Sequence, residues 1–427
     1  MIFDLVRLDQ RIAAMAVALR KRRRTLFAGR YSDDDQVTFA RDASTRASFE
    51  ALGDLGSDPV ARATRAWVGH LTIERVTSDD LVALEAARAE VDTEVEPHRS
   101  IHDLVRALFG PEREARAAAA AIRDKGAATV DAARRFAERR AEAERLLGAK
   151  PSASEDSFDP VEVALDGTDA AFASLDLSSK TWAGVVRRSV ASDAGEGWPA
   201  KITARWITDT LGRGELLRGV PLDVTSLPEP LGAASFARAL ADVGGSWAFY
   251  DRPAQSPFCV MRTPNDDLVL RRAALFGSLI LEPVFHERKL GLGRDRARHQ
   301  AATIARAAIV WLRLAAMRAA AWPLLAKPLD GTFPDLSERA LGRPIPRALL
   351  GAVPRLMPDA RAELRAMLAA LVDRDVLREQ FDDDWFDNPR AHEALRHENH
   401  LPAESRPALP AEAVPRALAG RIRDLLG

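Results

Sequence analysis

The sequence predicts an all-α protein with at most a few short strands, and three observations carry that prediction. Apolar residues recur at three- and four-residue steps, as in Leu5, Leu8, Ile12, Met15 and Leu19, which places them on one helix face. Strand-like alternation is nearly absent. Capping signals precede apolar runs: Ser78 with Asp79 and Asp80 before Leu81 and Leu84, and Ser100 with Asp103 before Leu104, Val105 and Leu108. Further along, the segment 112–147 is rich in Ala, Arg and Glu and reads as a long solvated helix or a helical hairpin, with Gly126 as the candidate break. The polar stretch 148–160, with two prolines, divides an N-terminal helical domain, 1–150, from a C-terminal helical domain, 151–427. The stretch 219–232 is broken by Pro221, Pro228 and Pro230, and 220–224 reads as a short strand. Helices are expected at 235–242, 267–281, 294–325, 360–374 and 411–426. No repeat of fixed period is present, so a solenoid is not expected.

Composition bounds the function. With 427 residues, 47% of them apolar, the chain is long enough to bury a large core. A formal net charge of -1 argues against nucleic acid as the main partner, because phosphate binding needs a basic surplus. The first residues, Met1-Ile2-Phe3-Asp4-Leu5, do not read as a signal peptide. The apolar stretch 301–321 is interrupted by Arg306, Arg313 and Arg318, so it is expected to be a buried or amphipathic helix rather than a membrane span, and no membrane partner is expected. The one cysteine, Cys259, forms no internal disulfide, and a cytoplasmic location fits. Cys259 reads as a half-buried apolar filler and not as a nucleophile.

Pro257-Phe258 with Arg262 and Asn265, then Glu282-Pro283-Val284-Phe285, Trp311-Leu312-Arg313 and Asp384-Trp385-Phe386, follow one another in an order and spacing that resemble the M3 (thimet oligopeptidase-like) zinc peptidases, the first of them being similar to that family's loop after the zinc helix. Glu282-Pro283-Val284-Phe285 and Leu290-Gly291-Leu292 resemble the segment closing its glutamate helix. Trp311-Leu312-Arg313 with Ala315-Ala316 resembles its next long helix, and the stretch from Asp384-Trp385-Phe386 to Ala391 a late segment near its cleft. The resemblance implies a large helical zincin-like fold with a cleft. An HExxH helix places two histidines four residues apart on one face to share a metal, with a glutamate between them as base. Carried over position by position, the first histidine corresponds to Ala241, the glutamate to Asp242 and the second histidine to Gly245, and the third-ligand glutamate falls near Leu270. Neither Ala241, Gly245 nor Leu270 can bind a metal. The resemblance therefore implies a degenerate site: no zinc, no cofactor and no catalytic residue. The family's substrate-binding strands correspond to the proline-broken stretch after Val220, which looks too short for them, and two glycines in 241–245 suggest that the old metal helix is shorter or bent.

The function expected on these grounds is that of a catalytically inactive peptidase-like protein acting by binding: a scaffold or regulator with a protein or peptide partner. Two alternatives stand beside it. One is an enzyme whose metal or acid/base chemistry has moved to His392, His397 and His400, where spacings of five and three place His397 and His400 on one helix face, or to Asp242. The other is a structural subunit of a larger assembly, using the surface of 112–147. His286-Glu287 reads as a helix-end surface pair, Asp382-Asp383-Asp384 as a solvated turn, and Arg20-Lys21-Arg22-Arg23-Arg24 as a basic helix end offset by Asp33-Asp34-Asp35.

Overall fold

The computed structural model of the chain describes residues 4–27, 37–55, 58–89, 107, 112–148, 158–175, 182, 184–185, 203–211, 220, 233–325, 332–347, 350, 357–407 and 409–426. Among these residues every regular element is helical and there is no strand. In chain order the main elements are α1 (Leu5–Phe27), α2 (Arg46–Gly53), α3 (Pro59–Val76), α4 (Ser78–Ala89), α5 (Glu112–Leu146), α6 (Pro160–Ser174), α7 (Ala204–Leu211) and α8 (Ala233–Tyr250). They continue with α9 (Phe258–Met261), α10 (Asp267–Gly277), α11 (Pro283–Leu290), α12 (Arg294–Ala321), α13 (Thr332–Leu341), α14 (Ala360–Phe381), α15 (Pro389–Asn399) and α16 (Ala413–Leu426). The expected helix after Ser100 and the expected strand at 220–224 lie outside the described residues, except Ala107 and Val220.

Local chemistry sets the helix ends. Asp58, Asp159 and Asn388 each accept a hydrogen bond from the backbone N–H two residues on, and each precedes a proline at the first helical position. Asp266 caps α10 in the same way. Gly291 ends α11 in the left-handed conformation, at φ 69°.

Three apolar clusters knit these helices together. One joins α4, α5 and α6 to α12, α13, α14 and α16 through Leu84, Phe136, Leu165, Met317, Phe333, Leu364 and Leu418. A second gathers α7, α8, α10 and α11 with Trp385 and Phe386. The third packs α1, α2 and α3 on the end of α8 and on α9 through Leu8, Ile12, Trp67, Val68, Phe249 and Phe258. Residues from both sides of position 150 share the first and third clusters.

Buried arginines tie the elements further. Arg313, 2% exposed on α12, donates to the carbonyls of Leu165 and Ala340 and to Asp169. Arg262 is fully buried and donates to the carbonyls of Ala248, Asp251, Met261 and Asn399, which closes α9 onto α8 and α15. The bonds to Ala340, Ala248, Met261 and Asn399 satisfy carbonyls that would otherwise be left at helix ends.

Three expectations need correction. The segment 112–147 is neither a hairpin nor wholly solvated: α5 runs unbroken through Gly126, and Ala118, Val130, Ala133, Phe136 and Ala137 are buried. The segment 360–374 extends to Phe381 and stops where Asp382 takes φ 66°. The segment 235–242 is likewise too short, because α8 continues through Gly244 and Gly245 to Tyr250. Those glycines do not shorten the helix; they let α10 approach it. A Cβ on Gly244 would stand 2.3 Å from the carbonyl oxygen of Arg272 and 2.7 Å from Cβ of Phe276. Gly277 in turn lies against Ala237 and Ala241, so α8 and α10 run antiparallel.

In an open helix Gly→Ala stabilises by about 1 kcal/mol. Here Gly244→Ala is expected to reverse that sign and destabilise by ~2 kcal/mol or more, because backbone blocks the new methyl. Gly245→Ala should cost less, since its nearest neighbours are the tip of Arg20 at 3.2 Å and Cβ of Ala273 at 3.3 Å. Urea denaturation of the two variants measures the difference; a stabilising Gly244→Ala would contradict the close approach.

Candidate functional site: an arginine-lined cavity between α1, α8, α10 and α14

The antiparallel pairing of α8 and α10 brings together four positions far apart in the sequence. Ala241, Asp242 and Gly245 of α8 and Leu270 of α10 all line one cavity of about 750 Å³, a size in the range of small-molecule sites. Ala241 and Gly245 are one helical turn apart on the same face. The C-terminal turns of α1 enter the same space. Arg24 Nε lies 2.9 Å from Asp242 Oδ1, and Arg20 Nη2 lies 3.1 Å from Ser246 Oγ. The Arg20 guanidinium also sits against Gly245 and over the Phe249 ring. A side chain longer than hydrogen at position 245 would therefore meet a cation.

The rest of α1's basic run faces inward too. Arg23 bonds to Asp359 and Glu363 at the start of α14, each at 2.5 Å. Beside it, Glu74 of α3 pairs with Arg140 of α5 at 2.7 Å, and His70 stands one turn before Glu74. Arg238 of α8 and Arg318 of α12 complete the wall. Seven arginines (20, 22, 23, 24, 140, 238 and 318) thus gather around four carboxylates (Glu74, Asp242, Asp359 and Glu363). Arg22 is 3% exposed, and its Nε, Nη1 and Nη2 have no hydrogen-bond partner among the described residues.

Protonation follows from this crowding. Burial alone would raise Glu74; Arg140 and His70 outweigh it and bring its carboxyl down to about 2. Burial lowers His70 to about 4, against the pull of Glu74, so its ring is neutral at pH 7. Burial raises Asp359 above the ordinary carboxylate range despite Arg23. Burial and the neighbouring Arg24 draw Arg20 down to about 10, and burial lowers Arg238 as well.

The other candidate residues do not converge. His392 Nε2 bonds to the Phe386 carbonyl at 2.7 Å, His400 Nε2 to Asp251 at 3.2 Å, and His397 is exposed between them. Among the described residues, no three His, Cys, Asp or Glu side chains are grouped so as to hold a metal. Cys259 is 2% exposed, with burial and Asp9 pushing its thiol well up, which leaves it un-ionised and inert. His286 is not the surface residue expected: it is fully buried, with Nε2 at 2.6 Å from the Ile280 carbonyl left open by a 3₁₀ turn. Asp383 and Asp384 pair with Arg378 and Arg288. Asp33-Asp34-Asp35 lies outside the described residues.

The basic run 20–24 is the functional element that sequence reading misplaced, as a solvated helix end. The signal was present. The buried stripe Leu8, Ile12, Met15 continues in three- and four-residue steps through Leu19 to Arg22 and Arg23, so the same periodicity that buries the leucines also buries Arg22 and half-buries Arg23. No family model, no curated protein sequence and no solved structure matches the chain.

The pKa shifts predict the acid behaviour of the fold. A histidine held below its unfolded value of 6.5 destabilises the native state as pH falls from 6.5 towards 4, since the unfolded chain takes the proton first. Glu74, held at about 2, contributes stability that is present above its unfolded value of 4.5 and lost as pH falls towards 2. Denaturant midpoints should therefore drop in two stages. His70→Gln should flatten the upper stage and leave the lower; an unchanged profile would contradict the buried neutral imidazole.

Proposed function

We propose that this chain works by binding, as a catalytically inactive protein on an M3-peptidase-like helical scaffold. One observation carries the reading. The positions that the resemblance assigns to the metal ligands line a common cavity, and the charge beside them is that of arginine. A zinc site needs anionic or neutral donors, three of them in a catalytic centre. Ala241, Gly245 and Leu270 supply none, and Asp242 is held by Arg24. A divalent cation placed there would also meet the guanidinium of Arg20 in surroundings of low dielectric, where repulsion between like charges is large. The same residues that deny a metal make a cavity suited to holding a molecule, which supports binding over hydrolysis.

The test is metal analysis of protein purified without chelators, beside a peptide-hydrolysis assay with and without added zinc. Well under one zinc per chain and no zinc-dependent hydrolysis are expected. One tightly held zinc per chain together with peptide cleavage would overturn the proposal.

A further inference from the structure

We infer that the cavity holds an amphipathic anion: a molecule with a carboxylate or phosphate head at the arginine end and an apolar body along α12 and α14. This rests on the reading of the cavity as a binding site and adds the chemistry of what is bound. Three observations carry it.

Arg22 is the first. Its guanidinium is buried, feels the Glu74 carboxylate only through space, and has no hydrogen-bond partner among the described residues, and its fork geometry matches two oxygens of a carboxylate or phosphate. The second is the charge balance around it. The four carboxylates within reach are already engaged: Glu74 by Arg140, Asp242 by Arg24, and Asp359 and Glu363 by Arg23. Among the described residues none of these four carboxylates is left over to hydrogen-bond Arg22, so an anion from outside the chain suits it better than a cation or a neutral molecule.

The third is the grading of the wall from charged to apolar. Asp359, Glu363, Met367 and Leu371 follow one another at four-residue steps down one face of α14, and all of them line the cavity. At 1.5 Å per residue this face runs about 18 Å from carboxylates to aliphatic side chains. On α12, Arg318 lines the charged part, while Trp311 and Leu312, two turns earlier, are apolar. A free inorganic anion would leave that apolar length unused, and a neutral hydrocarbon would leave Arg22 unpaired.

The inference is tested by titrating the full chain with dodecanoate, dodecyl phosphate, dodecanol and inorganic phosphate, following tryptophan fluorescence (Trp67 and Trp311 line the cavity) and heat of binding. Saturable one-to-one binding of at least one of the two anionic amphiphiles is expected, and the tighter of the two identifies the head. Dodecanol should bind at least ~10-fold more weakly, and inorganic phosphate alone should not compete. Arg22→Met should weaken the anion at least ~10-fold, leave dodecanol unchanged, and raise the melting temperature of the empty protein, because it removes a buried guanidinium that makes no hydrogen bond. A merely structural arginine would lower that temperature. Should Arg22→Met not fold, Arg22→Lys reads the same site, with an intermediate loss from replacing a fork by a point charge. Equal binding of dodecanol and the anions, displacement by inorganic phosphate alone, no binding of either amphiphile, or unchanged affinity in the Arg22 variants would overturn the inference. Absence of anion binding in zinc-free, non-hydrolysing protein defeats this inference alone; zinc with hydrolysis defeats the binding reading beneath it.

Discussion

The close approach of α10 to α8 at Gly244 is the constraint on which the rest of the site depends. Because no side chain separates the two backbones there, Ala241, Asp242 and Gly245 are held at a fixed distance from Leu270. The space left beside Gly245 is the space into which α1 delivers Arg20 and Arg24. Helix packing and charge are thus one problem. Small residues let the helices meet, and the smallness that lets them meet also leaves a cavity that only long side chains from elsewhere can reach.

Charge inside this protein is handled in two ways. Arg313 and Arg262 spend their donors on backbone carbonyls, and Glu282 is clasped between Arg374 and Arg421 at 2.6 Å and 2.8 Å. Those groups find their partners within the chain, by hydrogen bond or ion pair, and act as ties between helices. The cluster around Arg22 is different. There, among the described residues, one guanidinium has no hydrogen-bond partner, and the surrounding wall opens onto a cavity. A buried guanidinium with none of its three nitrogens hydrogen-bonded among the described residues, set in the wall of a cavity, points to a ligand more directly than any exposed patch does.

Much of the helical framework was legible in the sequence because capping residues and apolar periodicity are local signals. The Ser78-Asp79-Asp80 start of α4, the apolar face of α1 and the helices over 267–281 and 294–325 are read directly, whereas the Asp-Pro and Asn-Pro starts of α3, α6 and α15 carry the same kind of local signal but went unread. What local signals do not carry is what a face packs against. Gly244 and Gly245 look like helix breakers until α10 is placed beside them, 29 and 28 residues before Ala273 and 28 before Arg272. His286 looks exposed until the 3₁₀ turn at 278–281 presents it with a carbonyl. The arginines after Leu19 look like a solvated helix end because a run of charge is usually solvated, although their spacing continues the buried stripe. The absence of metal-binding side chains at Ala241, Gly245 and Leu270 was readable from residue types; the guanidinium groups that stand beside them come from a helix more than 200 residues away, as the separation of 218 between Arg24 and Asp242 records.

The central claim is that an anion, and not a metal, completes this cavity. Native mass spectrometry of the chain purified gently from its own cells tests it most directly, with the bound material extracted and identified. The account predicts a stoichiometric organic anion with an apolar body, absent from Arg22→Met, and no metal. A chain carrying one zinc ion and no organic anion would contradict it.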